Sequence, residues 1–261
     1  MGYREMDYQE LIEMAVQAGE IMLVSGAEVY RIEDTVSRIM KKSGLEGIEV
    51  FALATGIFAT LSDPSMSAIT VVKRVDKRST NLNRVYRVNN ISRKFCAGEM
   101  TVEEARAELR EIKTSIEYGF LHKCIGYIMT SAFFAILFEG NWLDCVAAGV
   151  VGLVLALAVT GASRLKFNDF CQNAAGSFAL AVTALLIQKL VYFDMNIDAV
   201  IISAIMPMVP GVTFTAAIRD TLNGDYSSGV ARIAEAIVVA LGVASGVGAA
   251  MVVFQMIGGA V

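Results

Sequence analysis

Two prolines and a glycine interrupt the fourth of five long apolar segments in this sequence. Pro207 and Pro210 lie three residues apart, and Gly211 follows directly, within the segment 197–218. A proline inside a helix removes a backbone donor and clashes with the carbonyl group four residues earlier, so this spacing predicts a broken helix. The second half would begin at Gly211 and include Thr213, with free N–H groups and a positive helix end that suit a carboxylate. A structural proline kink is the alternative.

The fifth apolar segment, 230–257, contains two charged residues near its start. Arg232 and Glu235 are three residues apart, so they lie on the same face of a helix. Arg232 can extend to the membrane interface, as long basic side chains do. Glu235 lies one turn deeper, where an ionisable group can pair with Arg232, line a polar path or carry a coupled proton.

Polar residues also occur among small ones in the third apolar segment. Asn173 and Ser177 belong to the run QNAAGS. They are candidates either for substrate binding or for hydrogen bonds at a close contact between helices. Gly242 and Gly246 form a GxxxG pattern in the fifth segment, which is more typical of a packing face.

The composition predicts a membrane protein with a water-soluble first part. Hydrophobic residues make up 55% of the 261 residues, and charged residues only 18%. Of the 48 charged residues, 35 lie in residues 1–123. Each apolar segment is long enough for about 20 residues of helix, the length that crosses a bilayer. The segments are residues 120–138, 142–163, 171–193, 197–218 and 230–257.

The basic residues predict the orientation of these segments. The first ten residues are charged and contain no apolar stretch of a signal peptide, so we expect the N-terminal domain to remain in the cytoplasm. The loops with Arg164 and Lys166 and with Arg219 would then also be inside. The loops with Glu139 and with Asp194 would be outside, together with the C-terminus. The expected location is the plasma membrane, with several spans.

The first 119 residues predict a small α+β domain with the order α, α, β-meander, α, α. Ser25 and Gly26 end the first helix, and Ser25 with Glu28 fits a capping box for a helix over 27–42. Two or three antiparallel strands follow between residues 47 and 75, and helices over 80–97 and 102–117 complete the domain. Thr101 with Glu104 fits a second capping box. The predicted fold is therefore this domain, 1–119, followed by an all-α bundle of five transmembrane helices, 120–261.

Several kinds of chemistry have no support in the sequence. Cys96, Cys124, Cys145 and Cys171 form no CxxC pair, and one histidine is present, so we expect buried reduced thiols and no metal site. The P-loop motif and the common hydrolase motifs are absent from the sequence. We therefore expect no cofactor and no enzymatic activity, and any transport would draw on an ion gradient or on the gradient of the substrate. The net charge of −4 gives no reason to expect nucleic acid as a partner.

The chain resembles the threonine/serine exporter family in its split form. The resemblance rests on six motifs across the chain: SGAEVYRIEDTVSRI (25–39), TNLNRVYRVNNISR (80–93), GEMTVEEARAEL (98–109), NAAGSF (173–178), PMVPG (207–211) and IRDTLNGDYSSGVARIAEA (218–236). It implies a cytoplasmic domain, five transmembrane helices and a second small membrane subunit. Because five spans cannot form two equal inverted halves, further copies of the chain are the other expected partner. The resemblance also implies carboxylate-bearing substrates, either threonine and serine or succinate-type dicarboxylates.

Two hypotheses of function follow. The first is a subunit of a secondary exporter, and the second is a membrane-anchored sensor or assembly factor that acts through the N-terminal domain. The broken helix and the charges inside the apolar segments favour the exporter, because a sensor needs neither. Physical reasoning and motif position together give the candidate binding and translocation residues: Asn173, Ser177, Pro207, Pro210, Gly211, Thr213, Asp220, Arg232 and Glu235.

Overall fold

A computed structural model describes residues 7–115, 118–191 and 194–257. These residues form two compact units. Residues 7–115 and 211–234 make up the first unit, and residues 118–191, 194–210 and 235–257 make up the second. The predicted division at residue 119 stays a prediction.

Ten α-helices and three strands occur in the described residues. The helices are α1 (Tyr8–Val24), α2 (Val29–Met40), α3 (Leu82–Ala97), α4 (Val102–Thr114), α5 (Phe120–Leu137), α6 (Trp142–Arg164), α7 (Asp169–Leu190), α8 (Ile197–Ile205), α9 (Gly211–Leu222) and α10 (Tyr226–Met256). The strands are β1 (Gly47–Leu53), β2 (Gly56–Asp63) and β3 (Met66–Arg74). The predicted order α, α, β-meander, α, α is present, whereas residues 116–117 of the predicted helix 102–117 lie outside the described residues.

The first unit has a hydrophobic core between its helices and its sheet. The strands form one antiparallel sheet in the order β1-β2-β3. Leu11 and Met14 of α1, Ile32 of α2 and Ile57 of β2 are all fully buried in this core. The β-branched and aromatic residues of 47–75 therefore form strands because one face of the sheet packs on α1 and α2.

One predicted capping box is confirmed and the other is wrong. The Thr101 hydroxyl accepts a hydrogen bond from the Glu104 N–H at 3.2 Å, and the Glu104 carboxylate accepts one from the Thr101 N–H at 2.9 Å. Glu28, by contrast, is the residue before α2 and its side chain makes no capping hydrogen bond. Ser25 instead ends α1, and its hydroxyl oxygen is buried without a hydrogen-bond partner among the described residues.

The helices α5, α6, α7 and α10 are each long and apolar enough to cross a membrane, and the described residues contain five such spans if the bent pair α8–α9 counts as one. The chain is thus a multi-span membrane protein. The fourth predicted span, 197–218, is two helices rather than one, because α8 ends at Ile205 and α9 begins at Gly211. Residues 192–193 of the predicted span 171–193 lie outside the described residues, as does the C-terminus from residue 258.

Small residues bring the helices of the second unit close together. A Cβ atom on Gly152 of α6 would lie 2.8 Å from the Tyr127 carbonyl oxygen of α5. The buried Asp144 carboxylate accepts hydrogen bonds from the backbone N–H groups of Asn141, at 2.9 Å, and Asn196, at 3.1 Å, and so caps both α6 and α8.

The cysteines are free thiols, but only one of them is buried. Cys124 is buried, Cys96 and Cys145 are partly buried and Cys171 is exposed. The expectation of four buried thiols is therefore wrong for Cys171. This residue lies in the first turn of α7, where the Asn168 side chain accepts a hydrogen bond from its N–H.

Candidate functional site

A buried ion pair joins α9 to the start of α10 in the first unit. The guanidinium Nε of Arg232 lies 2.9 Å from the Asp220 carboxylate oxygen Oδ2. Asp220 is 0% exposed and Arg232 is 2% exposed. Burying two charges is costly unless each is paired and hydrogen-bonded, so this pair must be held by further contacts.

Those contacts come from the turn that connects α1 with α2. The Val29 N–H donates a hydrogen bond to Asp220 Oδ1 at 3.0 Å. Arg232 donates one to the Ala27 carbonyl oxygen at 2.6 Å. Val29 is the first residue of α2, so Asp220 supplies the helix cap that Ser25 and Glu28 do not.

Glu28 adds a second acidic group to this polar cluster, which consists of Glu28, Arg219, Asp220 and Arg232. Its carboxylate contacts the Arg31 guanidinium at 3.1 Å and also pairs with Arg219. Burial alone raises the pKa of Glu28, but a hydrogen bond from its own N–H and the charges of Arg31 and Arg219 outweigh burial. The pKa of Glu28 therefore lies below its ordinary value, and the carboxylate stays charged near neutral pH.

A tight turn positions the two halves of the ion pair. Gly224 has a φ of +94°, a left-handed conformation that glycine adopts without strain. A Cβ atom on Gly229 would lie 2.1 Å from the Thr221 hydroxyl oxygen, so a larger residue at this contact between α9 and α10 would force its neighbours to shift. The turn and the close contact bring Asp220 and Arg232 together although they are 12 residues apart in the sequence.

The predicted helix break is present at the two prolines. After α8, residues Met206–Met208 form a 3₁₀ turn that includes Pro207. Val209 is extended, with φ −62° and ψ 126°, and α9 begins at Gly211. The first N–H groups of α9, including those of Gly211 and Thr213, therefore have no acceptor within their own helix.

The second unit has a cavity of about 510 Å³ beside the break, and its lining is apolar. It lies between the end of α8 and α10, and Met208, Pro210, Val243 and Val247 are among the residues that line it. None of the lining side chains carries a charge or a hydrogen-bond donor. This cavity therefore offers apolar contact to a ligand.

Asn173 and Ser177 lie at a close contact between α7 and α10. The Ser177 hydroxyl donates to carbonyl oxygens of its own helix, to that of Asn173 at 2.7 Å and to that of Ala174 at 3.2 Å. A Cβ atom on Gly246 would lie 2.1 Å from Ser177 Oγ. The geometry supports the packing interpretation of both the polar pair and the GxxxG pattern. Glu235 is partly buried in α10, one turn after Arg232.

Comparison with known proteins identifies the family. The profile of the putative threonine/serine exporter family matches residues 13–254. The chain belongs to the threonine/serine exporter family.

Two known proteins that are similar to this chain differ from each other in length. A probable threonine/serine exporter of Mycobacterium tuberculosis (strain ATCC 25618 / H37Rv) is 21% identical over 248 residues, which are 94% of this chain and 46% of the relative. The chain thus spans about half the length of that relative. A probable succinate transporter subunit, YjjP, of Klebsiella aerogenes is 21% identical over 255 residues, which are 97% of both chains. No solved structure matches.

The polar cluster of this exporter-family chain was only half visible in the sequence. Asp220 and Arg232 are among the predicted site residues, whereas Glu28 and Arg219 are not. All four lie in two of the motifs that carry the family resemblance, 25–39 and 218–236. The sequence does contain a signal for this cluster. Asp220 and Arg232 flank a short polar turn between two apolar segments, where each charged residue needs a partner.

Proposed function

We propose that the chain is a subunit of a secondary exporter that moves small carboxylate-bearing solutes out of the cell. The helix break at Pro207 and Pro210 carries this proposal, because a helix that ends and restarts inside an apolar span provides free backbone N–H groups for an anion. Family membership supports transport rather than catalysis. The names of the relatives make threonine, serine and succinate-type dicarboxylates the solutes to test.

Each group of residues has a distinct proposed role. The amides at Gly211 and Thr213, at the positive end of α9, bind the carboxylate. Glu235 is the ionisable residue that couples export to a proton gradient. Asp220 and Arg232 position α9 by fixing its far end to the α1–α2 turn, 3.0 Å from Asp220 to the Val29 N–H. Asn173 and Ser177 contribute a packing contact rather than a substrate contact.

We propose a second membrane subunit, further copies of this chain, or both, as partners in the bilayer. Five spans are an odd number and cannot form two equal inverted halves, as many secondary transporters do. The Mycobacterium tuberculosis relative is about twice as long as this chain, which is consistent with a second subunit that supplies the remaining helices in a split exporter.

The packing of the first unit supports the five-span topology. Four segments, α5, α6, α7 and the bent pair α8–α9, lie between residues 7–115 and the turn at Asn223. That turn packs in the same compact unit as residues 7–115. Four crossings return the chain to the side from which it started, whereas three crossings and a re-entrant pair would leave it on the opposite side. The N-terminal domain and this turn are therefore proposed to be cytoplasmic, and α10 to run outward.

Reporter fusions test this topology. A reporter fused after Val261 is expected to be active only outside the cytoplasm, and the same reporter fused to a chain truncated after Lys166 only inside. The reason is the Lys/Arg content of the inner loops, which resists translocation. A reporter after Val261 that is active only in the cytoplasm would contradict the topology.

Efflux from proteoliposomes tests the function. Vesicles that contain the chain, with and without a co-purified second membrane subunit, are loaded with threonine, serine or succinate, or with analogues in which an amide or alcohol replaces the carboxylate. We expect the partnered chain to release at least one carboxylate-bearing solute and to retain its neutral analogue, because the helix end attracts an anion. Equal release of a solute and its carboxylate-free analogue would contradict the proposal, and so would a failure to release any of the three solutes with the partner present.

A further inference from the structure

A polar cavity of about 330 Å³ lies between α2 and α3 in the first unit, and none of its lining residues is a member of the cluster of Glu28, Arg219, Asp220 and Arg232. Three of its lining side chains are the guanidinium groups of Arg31, Arg38 and Arg93, and the one carboxylate among them is that of Asp34. The lining therefore has an excess of two positive charges. A concave surface with such an excess attracts anions.

The basic groups of the cavity differ in how they are neutralised. Arg38 pairs with Asp34 at 2.9 Å, and Arg31 shares the Glu28 carboxylate with Arg219. Arg93 takes part in no ion pair within the part of the chain that the structure describes. It is thus available to an anion that enters the cavity, and Arg31 and Arg38 face the same space.

Neutral hydrogen-bonding groups complete the lining. Thr35 of α2 and Ser92 of α3 are buried, and both line the cavity together with Asn89. Hydroxyl and amide groups can donate to the oxygen atoms of an anion, while guanidinium groups bind carboxylate and phosphate in a bidentate manner. Both kinds of donor therefore line one concave space.

The arginines of α3 fall into two classes, which separates this cavity from an ordinary solvated helix face. Arg84 donates a hydrogen bond to the Ser115 carbonyl oxygen at 2.8 Å, and Arg87 pairs with Glu111 at 3.0 Å. Both connect α3 to the α4 region. Arg93 has no such structural contact and lies instead at the cavity.

We propose that this cavity binds a small soluble dianion through its carboxylate or phosphate oxygens, between Arg93 of α3 and Arg31 and Arg38 of α2. The two excess positive charges match two negative charges, and the volume suits a molecule of metabolite size rather than a segment of a macromolecule. A bound dianion would connect α2 to α3, and α2 begins at the Asp220 cap. The site therefore provides the cytoplasmic domain with a means of sensing an anion.

Calorimetric titration of the full-length protein in a neutral detergent tests the proposal, with inorganic phosphate and succinate as separate probes. We expect saturable binding of at least one of them and a loss of affinity of about tenfold or more in Arg93→Gln, because a charge-assisted hydrogen bond is removed. Arg87→Gln is the matched control on the same helix and is expected to bind like the wild type. Absence of binding by both probes, or equal affinity of Arg93→Gln and wild type, would overturn the proposal.

The Cys96 thiol gives a second readout that is specific to the cavity. Cys96 lines the cavity and is partly buried, and the other three cysteines can be replaced by serine. In this variant the dianion is expected to slow alkylation of Cys96, and Arg93→Gln is expected to abolish the protection. Acetate, a monoanion, should protect less than succinate at equal concentration. Protection of Cys96 that appears only in bilayers with anionic lipid, and not with the soluble probes, would assign the site to lipid headgroups. That result would overturn the proposal that a soluble dianion binds here.

Phosphate binding at this cavity is independent of export. A chain that binds phosphate here but exports no carboxylate would retain this inference and lose the proposed function. A chain that exports a carboxylate but binds the probes equally well with and without Arg93→Gln would retain the proposed function and lose this inference.

Discussion

Replacement of Arg232 by methionine is expected to destabilise the protein by about 3–5 kcal/mol. The substitution leaves the Asp220 carboxylate buried without its partner, which is the most costly way to break an ion pair. It also removes the hydrogen bond from Arg232 to the Ala27 carbonyl oxygen. The measurement is the midpoint of thermal unfolding of the detergent-solubilised protein, together with the fraction of protein that inserts into the membrane.

Two further variants make this prediction specific to the buried pair. Asp220→Asn combined with Arg232→Met should recover most of the lost stability, because asparagine retains an acceptor for the Val29 N–H and carries no charge. Arg74→Met is the matched control, since Arg74 pairs with Asp76 at 2.8 Å but the two side chains are 84% and 74% exposed. That variant should lose less than about 1 kcal/mol. If Arg232→Met costs no more than Arg74→Met, the buried pair does not hold the α9–α10 hairpin.

Replacement of Pro207 and Pro210 together by alanine is expected to abolish export while the protein remains folded. Alanine permits Val209 to leave its extended conformation, so α8 and α9 can join into one helix that uses the N–H groups of Gly211 and Thr213 internally. Each proline disfavours a continuous helix over this stretch by roughly 3 kcal/mol relative to alanine, so the variant should fold with α8 and α9 joined. Circular dichroism and thermal unfolding of the purified protein check the gain in helix and the stability.

The third proline of the chain provides the control for this double variant. Pro64 lies in the turn between β2 and β3, after Asp63, and is distant in sequence from the transmembrane segments. Pro64→Ala should leave export unchanged, because the Asp63 carboxylate still accepts the hydrogen bond from the Ser65 N–H at 2.9 Å. A loss of export in both variants would indicate a general effect of proline removal rather than closure of the break.

Local signals predicted the elements whose partners are close in sequence. The capping box of Thr101 and Glu104 spans three residues, and both of its hydrogen bonds are present. The break at Pro207 and Pro210 follows from the covalent structure of proline and needs no distant contact. The predicted end of the helix 80–97 is also set locally, because Gly98 adopts the left-handed conformation that commonly ends a helix.

The cap of α2 could not be predicted in this way. Ser25 and Glu28 have the spacing of a capping box, but the acceptor that α2 uses is Asp220, which is 191 residues from Val29. A single sequence shows that Asp220 needs a partner, but it does not show which of the distant donors reaches it. The roles of Asn173 and Ser177 are ambiguous in the sequence for a related reason. The contact with α10 follows from the structure, where a Cβ atom added to Gly246 would lie 2.1 Å from Ser177 Oγ.

Initial rates of efflux by the wild type and by the double variant Pro207→Ala/Pro210→Ala test the central claim most directly. Both proteins are reconstituted in equal inserted amounts with the same second subunit, and vesicles are loaded with a carboxylate that the wild type exports. We predict that the double variant releases the carboxylate no faster than protein-free vesicles, whereas the wild type exports it. In the variant the N–H donors for the carboxylate are used within the joined helix. A stable, inserted double variant that exports at the wild-type rate would contradict the claim and direct the search for the substrate site to Asn173 and Ser177.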